Sequence, residues 1–522
     1  MPLPLQQEPV GGPPQTPPPE DSDERRDDPP APQGPILQQQ QQPEQHVRPR
    51  PPQKVPIHSQ EVFGEAFAVL LGDFNDTIDG QDINESRTRM DRLLDCPGNV
   101  FCPRGGRGSA ARTNACIAEY LAGGEPVLAM PSPSQQRRRQ QHEEHRTATS
   151  AHRALCDGSA RRAMTRAEAA PIARYSPAVH AALVLQHPEE GLPPAVHPSD
   201  PTPPLQIDIE LLEVLLKKLP RGGAPGKSGM TYEHIGSACR ASHAALEQLV
   251  RFVNFGLAGR LPHLPRLLAC RLIPLRKPQG GVRPIAISET LLRLVSVCAM
   301  ALCSDVGASL APLQMGVKVR GGAQNLGHAT RALLECWDDA VLLQLDWKNA
   351  FNTISRASIL AAVAKLKPAL LPLATTLYRY PAALHIEGAP PGTPAIMSQR
   401  GVRQGDPISP LLFALALQGR LAQVQAMHRP AEGRPTASLH STTIAISAAA
   451  LSTLQQPSVP SSPQRSPSAS SHSCPNAQHT LATRLWPRQP RLNSASLMLS
   501  TARSSRARPS EHMSFSPAML QP

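Results

Sequence analysis

An aspartate at the end of a short apolar stretch is the residue of this sequence best placed to do chemistry. Residues 342–345 read Leu-Leu-Gln-Leu, Asp346 follows them, and Phe351 comes five positions later. A carboxylate at the end of a strand can hold divalent cations, which stabilise the charge that builds up during phosphoryl transfer. The pattern on its own is just as typical of an acid that caps a turn or a helix, so both interpretations stay open.

The elements that must position Asp346 are predicted by the spacing of apolar residues. Two pairs of short β-type runs, each flanking a glycine-containing turn, are typical of β-hairpins. They span residues 269–275 with 282–287, and 383–386 with 395–399. A strand is also predicted at 341–345. Helical spacing predicts helices at 207–219, 232–257, 289–303, 324–336 and 355–366, with another that begins near residue 410.

Composition divides the chain into five parts. Residues 1–57 are rich in Pro and Gln and bury too little apolar surface to offset chain entropy, so they are predicted to be disordered. A helical N-terminal extension to which the sequence assigns no role is predicted at 58–187, followed by a Pro-rich linker at 188–205. Regular periodicity predicts a folded domain at 206–428. The Ser/Pro/Arg-rich residues 429–522 are predicted to be a disordered tail.

Charge and cysteine content exclude some classes of protein. The net charge of +12 would ordinarily indicate a polyanionic partner, but ten arginines and only two acids follow Asp406, so global basicity is weak evidence for a nucleic-acid surface. The ten cysteines include no C-x-x-C pair, which argues against a zinc ribbon and a disulfide framework.

Targeting signals are not apparent in the sequence. The N-terminus lacks a basic-then-apolar leader, and the longest apolar run, at 294–303, is shorter than the ~18 residues of a membrane-spanning helix. We therefore expect an intracellular protein, in the nucleus or the cytoplasm, with no membrane partner.

One apparent phosphate-binding motif fails on inspection. Residues 222–228 read GGAPGKS, but a P-loop requires a glycine five positions before Gly226, where Arg221 stands. A P-loop also follows a strand, whereas residues 211–219 are predicted to be helical. A nucleotide-binding P-loop is not predicted here.

Six segments in the same order resemble the sequence blocks of reverse transcriptases of the non-LTR retrotransposon kind. The most specific is Arg400 to Phe413, which reads RGVRQGDPISPLLF and resembles the block that packs against the template base and the nascent pair. The others lie at 224–233, 271–285, 291–294, 314–324 and 342–351.

The resemblance implies a fold and an activity. The fold would be α+β, the fingers and an incomplete palm of a right-hand polymerase with disordered termini. The activity would be RNA-directed DNA synthesis, with an RNA template, a DNA primer and deoxynucleoside triphosphates as partners. Mg²⁺ or Mn²⁺ would be the cofactor.

The same resemblance implies roles for individual residues. Asp346 would be the catalytic residue and a metal ligand, and the carbonyl of Trp347 would be a second ligand. Phe351 would lie under the incoming sugar and exclude a 2′-hydroxyl. The triphosphate would be contacted by Lys277 and Arg283, and the template base by Gln404 and Gly405.

The sequence departs from the family where an Asp-Asp pair is expected. Its two Asp-Asp pairs are Asp27-Asp28 and Asp338-Asp339, and no aspartate follows Asp406. One carboxylate is not expected to hold two hard cations against water. The hypothesis is a frameshift, missed intron or decayed copy shortly after Gln418, and a genuine disordered tail is the alternative.

Three functional classes remain open from the sequence. The first is a reverse transcriptase that is catalytically incomplete in this chain. The second is a non-catalytic nucleic-acid-binding remnant that keeps the fingers contacts. The third is an unrelated binding scaffold, which would require the order of the six blocks to be accidental.

Overall fold

The computed structural model describes the central part of the chain. It covers residues 51–80, 82–101, 110–124, 170–198, 202–278, 280–336, 343–345, 347, 349–427, 439–440 and 444–446, with isolated positions between 152 and 164. The predicted disordered ends, apart from residues 51–57 and two short strands after residue 428, lie outside these ranges.

Fifteen α-helices are formed by the described residues. They are α1 (Gln60–Gly80), α2 (Ile83–Val100), α3 (Ala110–Leu121), α4 (Pro177–Leu185), α5 (Ile209–Lys218), α6 (Tyr232–Ala241), α7 (His243–Leu257), α8 (Pro265–Leu268), α9 (Thr290–Leu302), α10 (Val306–Leu310), α11 (Gly322–Cys336), α12 (Ala350–Thr353), α13 (Arg356–Leu366), α14 (Leu371–Tyr378) and α15 (Ser409–Met427). Short 3₁₀ turns at Ile57–Ser59 and Pro368–Leu370 precede α1 and α14.

Both predicted hairpins are present and join in one sheet. Its strands are β1 (Cys270–Arg276), β2 (Val282–Ser288), β4 (Ala382–Ile386) and β5 (Ile396–Ser398), in the order β2-β1-β4-β5. The β1–β2 and β4–β5 pairs are antiparallel, and β1 runs parallel to β4. Strand β2 is therefore an edge strand, open to contacts from other parts of the chain.

The predicted strand before Asp346 pairs with a part of the chain in which no core element was predicted. Strand β3 (Leu343–Leu345) lies antiparallel to β7 (Ile444–Ile446), which pairs with β6 (Leu439–His440). The sequence after residue 430 has no sustained pattern, and a strand of two or three residues is too short to produce one.

The long helix predicted at 232–257 is wrong, because the structure breaks it at Ser242. This residue has extended backbone angles, its main-chain N–H caps the end of α6 at Ala238, and its side chain caps the start of α7 at Ala245. Serine is a favoured N-cap because its hydroxyl satisfies a free amide of the first turn. Apolar periodicity continues across the break, which is why the sequence pattern did not reveal it.

The N-terminal extension shares its hydrophobic core with the helices that follow residue 206. Phe74 of α1 packs on Phe252 of α7, with ring centroids 5.9 Å apart, and both side chains are fully buried. At the rim of this contact, Arg251 of α7 pairs with Asp76 and Asp79 of α1, at 2.6 Å each. Helix α1 is therefore built into the same folded body as α7.

Candidate functional site

The β1–β2 hairpin presents two exposed cations. Arg283 lies opposite Leu275 in the hairpin register, and Lys277 lies in the turn, where its main-chain N–H donates to the carbonyl of Gly281. Within the described part of the chain, neither side chain has an ion-pair or hydrogen-bond partner. Both charges are free to meet an anion from solution.

The two faces of this hairpin are covered differently: α4 packs on one, and the other holds the buried Ile273 and Ile287 and is exposed at Arg283. Leu272, Val282 and Ala286 lie on the first of these faces, where they pack with Leu183 of α4 in a small buried cluster. Because side chains alternate along a strand, Arg283 points to the opposite face. The exposed cation is thus on the face that α4 does not occupy.

A five-residue segment, Gly401 to Gly405, ties this hairpin to the helix that follows Asp346. At one end, the N–H of Val402 donates to the carbonyl of Phe351 in α12, at 2.8 Å. At the other end, the N–H of Ala286 in β2 donates to the carbonyl of Gln404, at 2.7 Å. The segment therefore brings Phe351, Gln404, Gly405 and the Arg283 hairpin into one site.

Glycine is required at both ends of this segment. Gly405 has φ +123°, and a Cβ atom there would lie 2.6 Å from the carbonyl oxygen of Ala286. Gly401 has φ +70°, and its Cβ would overlap the main chain of Phe351 and Asn352. These angles lie where L side chains are strained, so close backbone approach explains both glycines.

Phe351 is held by a second aromatic ring. It is half-buried and stacks on Phe413 of α15, with centroids 4.8 Å apart and planes 11° apart. Trp347 is 46% exposed. Asp346 lies outside the described residues, so the structure gives the position of the strand before it and of the turn after it.

A buried polar network holds the segment from behind, and no sequence pattern predicts it. Arg403 and Asp406 form an ion pair at 3.5 Å with each side chain only 1% exposed. The Tyr378 hydroxyl donates to Asp406 at 3.3 Å and lies 2.9 Å from the Ser409 hydroxyl. Arg403 also donates to the carbonyl of Leu268. Arg403, Asp406 and Ser409 lie inside the resembling block, whereas Tyr378 lies outside every block.

Burial and neighbouring charges shift the pKa values of side chains in and beside this network. Burial raises the pKa of Tyr378 to about 12, and it lowers the pKa of Arg356 to about 10, with repulsion from Arg403 acting in the same direction. Burial alone would lower the pKa of Arg403, but Tyr378, Cys270 and Asp406 raise it above its ordinary value. Arg403 therefore stays charged.

Arg356 fastens the other side of the same segment. Its guanidinium donates to the carbonyl of Gly401 at 3.1 Å, to the carbonyl of Tyr380 at 3.2 Å and to the hydroxyl of Ser398 at 2.9 Å. The first residue of α13 thus supplies a buried cation that donates to two main-chain carbonyls and one hydroxyl.

Residues 222–228, which resemble a P-loop without meeting its pattern, connect the start of α9 to strand β4. Ser228 donates through its N–H and its hydroxyl to the buried carboxylate of Glu289, at 2.9 and 2.6 Å. Lys227 lies 3.1 Å from His385, and partial desolvation, together with nearby Arg266, lowers the lysine pKa to about 8. The preceding element is helix α5, as predicted, so the P-loop requirement for a strand is not met.

The described part of the chain contains no metal-ligand cluster and no membrane-spanning helix. No group of three or more His, Cys, Asp or Glu side chains there could hold a metal ion. No helix there combines the length and apolar character needed to cross a membrane.

Part of this chain is similar in sequence to a known protein family. The model of the family "Reverse transcriptase (RNA-dependent DNA polymerase)" matches residues 275–440. The chain is 29% identical over 254 residues to the 132 kDa protein of the retrotransposable element SLACS of Trypanosoma brucei gambiense, a match that covers 43% of this chain and 20% of that protein.

A second relative belongs to another retrotransposable element. The retrovirus-related Pol polyprotein from type-2 retrotransposable element R2DM of Drosophila melanogaster is 31% identical over 186 residues, covering 32% of this chain and 17% of that protein. The family match and both relatives support a reverse transcriptase domain of the non-LTR retrotransposon type within this chain. The chain spans about a fifth of the length of these two relatives.

The predicted site residues lie inside the matched range. They are Lys277, Arg283, Phe351, Gln404 and Gly405, and the structure links the backbone of Phe351 and the strand of Arg283 to the Gly401 to Gly405 segment. Asp346 and Trp347 also lie inside the matched range. Reverse transcriptases as a family use divalent metal ions and act on a nucleic-acid template, a primer and deoxynucleoside triphosphates.

Proposed function

We propose that this reverse transcriptase domain binds an RNA template, a DNA primer and a deoxynucleoside triphosphate beside the exposed Arg283 end of the β1–β2 hairpin, on the face opposite α4. The observation that carries the proposal is the pair of main-chain bonds from Val402 to Phe351 and from Ala286 to Gln404. These bonds set Phe351 at one end of a five-residue segment and the strand of Arg283 at the other.

The proposed roles follow from charge and position. Lys277 and Arg283 bind the triphosphate, since both are exposed cations without a protein partner in the described residues. Phe351 lies under the sugar, and its stacking on Phe413 keeps the ring in place. Gln404 and Gly405 face the base pair, the role that the resemblance of the Arg400 to Phe413 block implies.

The residues present do not fit a complete pair of metal ions. Asp346 and the carbonyl of Trp347 are the candidate ligands. The pairing of Leu345 with Ile444 places β7 next to the strand that leads to Asp346, and the sequence before Ile444 reads Ser-Thr-Thr, without an acid. Hydroxyls are weak substitutes for carboxylates around Mg²⁺. We therefore propose that this chain does not polymerise.

A change of reading frame remains our explanation for the missing acids. Helix α15 continues to Met427 and the family match to residue 440. We therefore place any change of frame later than the position just after Gln418 that the sequence alone suggested. Sequencing the transcript and the gene through codons 418–446 tests this, and an intact frame in both would contradict it.

Binding of primer–template and nucleotide tests the proposed site. Arg283→Ala is expected to weaken binding of all four deoxynucleoside triphosphates about equally, by roughly 3- to 30-fold, since a triphosphate contact carries no base information. The matched control is Arg276→Ala, which removes the same charge from the same hairpin on the other face. Equal effects of both substitutions would show general electrostatics instead of a site.

Primer extension separates the proposal from its alternatives. We expect no template-dependent incorporation with Mg²⁺ or Mn²⁺. Extension that Asp346→Ala abolishes would show that the chain is a working polymerase. Failure to bind primer–template at all would favour an unrelated scaffold, whereas binding of primer–template without nucleotide would favour the non-catalytic remnant.

A further inference from the structure

The stretch from Pro171 to Gln186 crosses the hairpin from one edge to the other. At its start, the N–H of Ala173 donates to the carbonyl of Pro274 in β1, and Pro171 accepts from Arg276. Helix α4 then packs on one face of the hairpin, with Leu183 fully buried. The stretch ends at Gln186, beside the free edge of β2.

Gln186 bonds to two parts of the candidate site at once. Its side-chain amide donates to the carbonyl of Val282, the residue before Arg283, at 3.2 Å. Its own main-chain carbonyl accepts from the side chains of Asn349, at 2.6 Å, and Asn352, at 3.1 Å. One residue therefore joins the strand that carries Arg283 to the turn and helix that carry Phe351.

Asn349 has a conformation that suits this connection. It has φ +58° and ψ +30°, in the left-handed region, at the N-cap of α12. Asparagine is one of the few non-glycine residues that tolerate this region. The turn after Asp346 is thus shaped so that the Asn349 amide reaches the carbonyl of Gln186, and Phe351 follows two residues later.

We propose that Gln186 is a positioning residue that sets the separation between the triphosphate-binding strand at Arg283 and the sugar-facing ring of Phe351. The inference rests on the proposed function of this site. It adds that nucleotide selection depends on a residue outside the matched range 275–440. Since a nucleotide must reach Arg283 and Phe351 together, loss of this spacer should impair recognition of both triphosphate and sugar.

The test measures binding of a fluorescent deoxyadenosine triphosphate analogue to the full chain with primer–template and Mg²⁺, competed by dATP and by ATP. Gln186→Ala removes the bond to Val282, and Gln186→Glu sets a carboxylate against that carbonyl. We expect affinity for dATP to fall about 2- to 10-fold for the first substitution, the range for one hydrogen bond, and further for the second. Gln206→Ala, at an exposed glutamine outside the six resembling blocks, is the control and should change neither affinity.

The second arm probes the sugar. Asn349→Gly keeps the left-handed turn and removes only the side-chain amide. We expect it to lower the ratio of dATP affinity to ATP affinity by about 2- to 5-fold, because Phe351 loses a fixed position. A purely structural role would lower thermal stability and leave this ratio unchanged.

The outcomes distinguish this inference from the proposed function. If Arg283→Ala weakens triphosphate binding but the Gln186 and Asn349 variants leave affinity and ratio unchanged, the positioning role is wrong and the site stands. If Arg283→Ala also has no effect, the proposed function itself is wrong. Non-additive losses in the Gln186→Ala/Arg283→Ala double variant would support the coupling directly.

Discussion

The main-chain N–H of Ala286 donates a 2.7 Å hydrogen bond to the carbonyl of Gln404. This bond attaches the Gly401 to Gly405 segment to the edge of a sheet whose strands come from elsewhere in the chain. It requires the two backbones to approach closely at Gly405, where a side chain has no room.

Gly405→Ala should therefore destabilise the domain. The new Cβ would lie 2.6 Å from the Ala286 oxygen at φ +123°, so either the segment moves or the backbone is strained. We expect a loss of about 1–3 kcal/mol in the free energy of unfolding, measured by urea denaturation. Gly419→Ala in α15 is the control, because nothing lies within 4 Å of its Cβ. That variant should gain ~0.5–1 kcal/mol.

The stack of Phe351 on Phe413 should be measurable as a coupling energy. Single and double alanine variants form a double-mutant cycle, and stacked aromatic pairs contribute ~0.5–1.5 kcal/mol beyond their burial. Phe351→Ala should also relax discrimination against ribonucleotides in the binding assay, whereas Phe351→Tyr should preserve it. Unchanged discrimination in Phe351→Ala would mean that this ring does not face the sugar.

Removing Arg403 should leave a buried carboxylate without its cation. Arg403→Met is expected to cost about 3–5 kcal/mol in unfolding free energy, because it removes one partner of a buried ion pair. Arg420→Met, at an exposed site of α15, should change stability by less than ~0.5 kcal/mol. The double variant Arg403→Met/Asp406→Leu should recover part of the loss, and no recovery would argue against the ion pair.

His234 should make the domain sensitive to mild acid. Burial lowers its pKa to about 4, and its ring accepts from the N–H of Thr231 and bonds to the carbonyl of Pro52. The neutral form is stabilised, so this contribution is complete above pH 6.5. It is lost as pH falls from 6.5 through about 4, and is worth ~3 kcal/mol in total.

Urea denaturation between pH 7 and pH 4 tests the His234 prediction. His234→Gln should flatten the decline in stability over that window. His243→Gln changes an exposed histidine of α7 and serves as the control, which should follow the wild-type curve. A wild-type curve with no decline below pH 6.5 would contradict the prediction.

The sequence allowed good prediction of elements with regular periodicity and poor prediction of their connections. The β1–β2 hairpin and helices α9, α13 and α15 lie close to the predicted positions because apolar spacing and turn residues are local signals. The break at Ser242 was missed because the apolar pattern runs through it. Pairing of β3 with β7 was missed because long-range register leaves no trace in two or three residues.

The residues of the candidate site were predicted from the resemblance. The side chains that hold those residues in place were not predicted. Arg283, Phe351 and Gly405 stand inside recognisable blocks. Gln186 and Tyr378 stand outside them, and their roles depend on carbonyls and hydroxyls that approach only in the folded chain. Nothing in their spacing distinguishes them from ordinary polar residues.

Burial of Phe74 against Phe252 determines where an expressed fragment of this protein can begin. A cassette that starts at residue 206 would expose one whole side of α7, including the apolar surface that α1 covers and the unpaired Arg251. Such a fragment should be prone to self-association, since large exposed apolar patches promote aggregation. An expression boundary upstream of Gln60 keeps that surface covered.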